Sequence, residues 1–112
     1  MENEIMEIIM YGGKARSLAM ESIFAAKKAD FSQAENLLVD AQSNLKAAHQ
    51  SHNKILSTSA EEEPAFQLSL FMVHSEDHLM SAITTIDLAK EFLDVHRDLT
   101  DIKQQIAQLA AN

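Results

Sequence analysis

Residues 88–109 read LAKEFLDVHRDLTDIKQQIAQL, and this stretch decides the fold. The apolar side chains Leu88, Phe92, Val95, Leu99, Ile102, Ile106 and Leu109 follow one another at alternating steps of four and three. That spacing holds them on one stripe of a helix, the heptad pattern of helices that associate side by side. Upstream, Leu79, Ile83 and Ile86 make a second apolar stripe that can face the chain's own core. From about Ala65 to Ala110 there is neither Gly nor Pro, so a single helix of about 45 residues is expected, about 68 Å long at 1.5 Å per residue. A compact chain of 112 residues is narrower than that. The surplus must project or pack against another chain, and the heptad stripe favours packing.

Two further helices precede it. The first runs from about Glu2 to Lys28, with Ile5, Ile8, Ile9, Ala15, Leu18, Ala19 and Ile23 at helical spacing. Gly12 and Gly13 fall in its middle, each at a cost of about 1 kcal/mol in helix propensity. Close packing against a neighbouring helix, rather than a hinge, is the expected reason. The chain breaks at Ala29-Asp30-Phe31. Ser32 and Glu35 have capping-box spacing, with Asp30 as the competing cap. The second helix carries Leu37, Leu38, Ala41, Leu45, Ala48, His52 and Leu56 and should end near Ser57. Residues 57–64, with three adjacent glutamates and the only proline, read as a loop. Residues 1–112 therefore make one all-α domain, an antiparallel three-helix bundle with a long third helix that self-associates.

Composition narrows the function. With 2 Gly and 1 Pro there is little turn material for a β-sandwich or barrel. With 0 Cys there is no disulfide framework, thiolate zinc site or cysteine nucleophile. A net charge of -8 argues against nucleic acid and anionic membrane as partners. No apolar run reaches the roughly 20 residues of a membrane span. The start Met1-Glu2-Asn3-Glu4 lacks the basic residues of a secretory signal, so a cytoplasmic protein is expected.

Followed backwards from Leu88, the heptad register meets Thr85, Ser81, His78, His74 and Phe71, and the seam turns polar. Asp77 lies on the same side. Buried polar groups are costly unless paired, so His74, Asp77 and His78 need an account. They can fix register and oligomer state. The spacing His-x-x-Asp-His can hold a metal ion such as zinc, with the two histidines one turn apart. A histidine, unprotonated near neutrality, can also act as a nucleophile towards phosphorus. His49 and His52 share a face of the second helix at a comparable height, so four histidines could gather at one level. A solvated or half-buried helix face is the plain alternative for His49 and His52, and His96 is expected at the surface.

The segment Val73-His74-Ser75-Glu76-Asp77-His78-Leu79-Met80 resembles the motif of the IIA component of the lactose/cellobiose/chitobiose class of the bacterial phosphoenolpyruvate-dependent sugar phosphotransferase system. Gly13-Lys14-Ala15-Arg16-Ser17-Leu18-Ala19 is similar to that family's Gly-x-Ala-Arg-Ser-x-Ala. Ala48-His49, with Lys54 beyond it, matches the family's Ala-His segment, where the family commonly has Gln at the position of His52. The likeness covers about Ile5 to Leu99, and the last dozen residues extend the third helix.

The resemblance implies a homotrimer of three-helix protomers whose third helices meet around a three-fold axis. It implies that His74 receives a phosphoryl group from the phosphocarrier HPr and passes it to a cysteine of the IIB component, in the uptake of a cellobiose-, chitobiose- or lactose-class sugar. His78 neighbours the site. Asp77 lies close to the axis, where three copies can hold a divalent cation. Three carboxylates at close range repel, and a hard cation such as Mg²⁺ removes that conflict. Candidate donors to the phosphoryl oxygens are His78 and, from a neighbouring protomer, His49 or Gln50. His74 is expected well inside its helix, out of reach of the N-terminal dipole. Glu76 and Asp77 should keep the phosphoryl group from binding too tightly. Phe71, Met72 and Met80 are available for docking HPr and IIB, with core packing as the alternative for at least one of them.

Overall fold

The computed structural model describes residues 2–61 and 69–112. Three helices account for nearly all of them: α1 Glu2–Lys27, α2 Phe31–Glu61 and α3 Leu70–Ala111. The molecule extends 74 Å, against 18 and 17 Å across, and the 42 residues of α3 make the longest element in it. α1 packs along both other helices, and α2 and α3 meet over a shorter stretch.

The turn between α1 and α2 is closed by backbone bonds. The N–H of Asp30 donates to Ala25 O at 3.0 Å and that of Ala29 to Ala26 O at 2.9 Å. This is the Schellman arrangement, which requires a left-handed residue at the helix end. Ala29 fills that place with φ 60°. Asp30, not Ser32, caps α2: its Oδ1 accepts the N–H of Gln33 at 3.2 Å. A Cβ in the left-handed region costs roughly 1 kcal/mol or more. Ala29→Gly should therefore raise unfolding stability by about 1 kcal/mol, read from denaturant or thermal unfolding.

α2 continues to Glu61, past the expected end at Ser57. The hydroxyl of Thr58 donates to Lys54 O at 2.9 Å, so this Ser/Thr stretch satisfies its side chains on the helix backbone. Glu62, Glu63 and Pro64 of the expected loop lie outside the described residues, as do 65–68. α3 opens at Leu70, later than Ala65, because Ser69 caps it: Ser69 Oγ accepts the N–H of Met72 at 3.1 Å.

The core has two parts. One is rich in alanine (Ala15, Ala19, Ala34, Ala41, Ala82 and Ala89), closed by Leu38, Ile86 and Leu93. Small side chains let the helix axes approach closely. The other gathers Ile5, Ile8, Ala48, Ile55, Met72 and Leu79. The stripe Leu79–Ile86 does face the core, Leu79 in this second part with Ile83 packed at its edge, and Ile86 in the alanine-rich part. Buried hydroxyls are satisfied, Ser22 donating to Ala34 O and Ser75 to Met72 O, both at 2.7 Å. Arg97 pairs with Glu35 to tie α3 to α2. The heptad stripe from Leu88 to Leu109 stays uncovered within one chain, each member 42–76% exposed.

Candidate functional site

The sequence places Gly12 and Gly13 side by side, but they do different things. A Cβ on Gly12 would meet His78 O at 3.3 Å and its carbonyl carbon at 3.4 Å. α1 thus presses its backbone against that of α3 at the level of His78, which is the close packing expected of these glycines. A Cβ on Gly13 meets only the His78 ring, at 3.6 and 3.8 Å, ordinary contact. Gly13→Ala should stabilise the fold by about 0.5–1 kcal/mol through helix propensity. Gly12→Ala forces two helix backbones apart and should destabilise by about 1 kcal/mol or more. Thermal unfolding of the pair separates the two effects.

Held there, His78 reaches back along α3 to His74. The two Nε2 atoms are 3.1 Å apart, and the rings meet edge to face at 81° with centroids 4.5 Å apart. His74 is exposed and His78 half-buried. Because α3 begins at Leu70, His74 stands in its second turn, contrary to the expected deep position. It is at the outer limit of the N-terminal dipole, whose sign favours an anion. Leu70 and Phe71 form an apolar surface pocket with His74. Phe71 and Met80 are 42% and 51% exposed, whereas Met72, at 4%, belongs to the core.

Asp77 is exposed and lines a groove of about 440 Å³ with His78, Ser81, Gly13, Arg16 and Ser17. Arg16 and Ser17 are site residues to which sequence reasoning gave no role. Their signal was the Gly-x-Ala-Arg-Ser-x-Ala resemblance, and they follow Gly13 by three and four, so they share its helix face.

The other histidines do not join the pair. His52 Nε2 lies 2.5 Å from Glu76 Oε1, linking α2 to α3. That contact engages the Glu76 carboxylate, and Asp77 is the acidic residue that lines the groove. His49 is half-buried on α2. His96, expected at the surface, is half-buried and lies at the far end, near Lys27 and Lys28. Among the described residues no group of three or more His, Asp or Glu side chains is arranged to hold a metal ion. The reading of His74, Asp77 and His78 as a zinc site within one chain is therefore not supported. No helix of the described residues is long and apolar enough to cross a membrane.

Comparison with known proteins meets this geometry. The model of the lactose/cellobiose-specific IIA subunit family of the phosphotransferase system matches residues 3–97. The lichenan-specific phosphotransferase enzyme IIA component of Bacillus subtilis (strain 168) is 40% identical over 101 residues, 90% of this chain and 91% of that protein. The crystal structure of the cellobiose-specific enzyme IIA of Bacillus anthracis superposes with a TM-score of 0.84 at 33% identity, over 89% of this chain and 91% of the other. A chain from the solution structures of the IIA(Chitobiose)–HPr complex of Escherichia coli gives 0.78 at 31% identity, over 88% and 95%. The motif segments, the three-helix frame and the relatives agree, and the chain belongs to the lactose/cellobiose-specific IIA family, whose members relay phosphoryl groups from HPr to IIB in sugar uptake.

Proposed function

We propose that His74 is the phosphoryl-carrying residue: it takes the group from HPr and gives it to a cysteine of IIB, in the cytoplasm, during uptake of a β-linked disaccharide. The observation that carries this is an exposed imidazole whose Nε2 faces a second imidazole nitrogen at 3.1 Å. With His78 Nε2–H as donor, the lone pair of His74 Nε2 accepts and the His74 proton resides on Nδ1. Nε2 is then the nucleophile. Its bond to phosphorus forms as the bond from phosphorus to the HPr histidine breaks, and the donor ring leaves with the electron pair. Both partners are imidazoles, so the step is close to balanced and reversible. Phosphoryl transfer asks the protein chiefly for alignment and for donors to the oxygens. The His78 N–H, released as the lone pair turns to phosphorus, faces those oxygens. The apolar surface of Leu70 and Phe71 gives HPr and IIB a place to dock in turn.

The sugar class is supported by relatives named for lichenan, cellobiose and N,N'-diacetylchitobiose. The same reading makes the assembly a homotrimer with the heptad stripe inside and one Asp77 per chain near the axis. Asp77 is an exposed oxygen donor, which fits that role. A hard cation such as Mg²⁺, held by three such carboxylates, would supply neutralisation of their charge.

Rapid-quench transfer from phosphorylated HPr tests the scheme. His78→Ala should slow it by about 10²-fold, the size of losing one positioned donor. His78→Gln, whose amide can still donate, should recover part of the loss. A His78→Ala protein as fast as the native one would remove His78 from the mechanism. Failure of the native protein to accept phosphoryl would sink the whole reading.

A further inference from the structure

A phosphoryl group on His74 brings up to about two negative charges to a chain whose net charge is already -8. Glu76 and Asp77 follow His74 on the same helix and add to that charge. Transfer is fast only where donors or cations meet the oxygens. His78 offers one N–H. A cation with several donors would do more, and the fold brings one in from another helix.

Arg16 of α1 lines the groove of about 440 Å³ that holds His78 and Asp77, together with the hydroxyl-bearing Ser17 and Ser81. Of the 9 Lys and Arg side chains, all within the described residues, it alone lines that groove. Arg97 is committed to Glu35. Lys27, Lys28 and Lys103 gather around His96, about 33 Å along α3 from His74 at 1.5 Å per residue.

The backbone beneath Arg16 is fixed. Gly12 is pressed against the His78 carbonyl, a Cβ on Gly13 would touch the His78 ring, and Ala15 is buried in the core. Arg16 follows Gly12 by four and Gly13 by three, so it rises from the same helix face one turn along. Its side chain is exposed, and it makes no ion pair with any described residue, although Asp77 lines the same groove. An uncommitted guanidinium beside the imidazole that bonds to His74 is a place for an anion.

We infer that Arg16 takes the oxygens of the phosphoryl group carried by His74, and that the groove between α1 and α3 is the phosphoryl pocket. A guanidinium is planar and permanently charged, and its fork of N–H donors fits two phosphoryl oxygens. Arg16 stays protonated and forms no covalent bond. The bonds made and broken are those from phosphorus to the imidazoles of His74 and of HPr. Asp77 lines the same groove and limits how tightly cation and anion pair, which suits a group that must leave for IIB. The inference rests on the reading of His74 as the carrier and adds to it a contact from α1.

Phosphorus-31 NMR tests it. The native protein, Arg16→Gln, Arg16→Lys and Lys14→Gln are loaded to completion from phosphorylated HPr, and the phosphoryl signal is followed with pH. A nearby cation favours the dianion, so Arg16→Gln should raise the pH at which the group takes up its proton by about half a unit or more. Transfer from HPr to that variant should slow by about tenfold or more. Arg16→Lys keeps the charge without the fork and should recover part of both effects. Lys14→Gln makes the same change of charge outside the groove and should leave both readouts close to native. Circular dichroism and sedimentation check fold and assembly. An Arg16→Gln titration that matches the native one, or a Lys14→Gln shift as large as that of Arg16→Gln, would overturn the inference and leave the role of His74 intact. A native protein that takes up no phosphoryl group on His74 would overturn the carrier reading, and this inference with it.

Discussion

His74→Gln should abolish phosphoryl acceptance, cutting transfer from phosphorylated HPr by about 10⁴-fold or more, as expected when a nucleophile is removed. Nothing else should change much. The His74 side chain is exposed and packs in no core cluster. Its hydrogen bond to His78 is worth about 1 kcal/mol net, and the glutamine amide can make part of it. The variant should therefore unfold within about 1 kcal/mol of the native protein and keep its oligomeric state. The contrast with His78→Ala is informative. There the acceptor survives and only the rate falls, so a long incubation should still phosphorylate that variant fully. If His74→Gln accepts phosphoryl at a native rate, the group resides elsewhere and the assignment is wrong.

Leu79→Ala should produce the largest loss of stability. Leu79 is 0% exposed and packs with Ile8, Ile55 and Met72 between the helices. Truncating a leucine in such a place removes its transfer energy and leaves a cavity, for a cost of about 2–5 kcal/mol. In a chain of this size that is a fall in Tm of roughly 10–20 °C. Val39→Ala, at 62% exposure on α2, is the control and should move stability by no more than about 0.5 kcal/mol. Protein concentration must be held fixed, since assembly stabilises the folded chain by mass action. A Leu79→Ala protein as stable as the Val39→Ala control would show that the packing between α1 and α3 described here is not what holds the bundle together.

The elements of the fold were legible because two apolar periods run through the last helix, one buried and one bare. Where the helices begin and end was less legible. Capping is a competition: Asp30 and Ser32 are both good caps, and the turn held by Ala29 with φ 60° selects Asp30. Thr58 reads as loop material, yet its hydroxyl bonds to Lys54 O and the helix continues. At the site, the His74–His78 contact follows from spacing of one turn on a single helix. The partner of His52 did not follow, because it depends on how α2 is rotated against α3, and the geometry gives it Glu76. Gly12 and Gly13 are alike as letters, and only the approach of His78 separates them. Arg16 and Ser17 reach the site from another helix, which no spacing within one segment reveals.

The central claim is that His74 holds a phosphoryl group between two proteins. The most direct measurement loads the native protein with phosphoenolpyruvate, enzyme I and HPr, reads its intact mass, and maps the modified residue before and after adding IIB. The account predicts a gain of one phosphoryl group per chain, labile in acid, located on His74 and lost when IIB is added. A folded protein that gains nothing, or one modified at His49, His52, His78 or His96 instead, would contradict it.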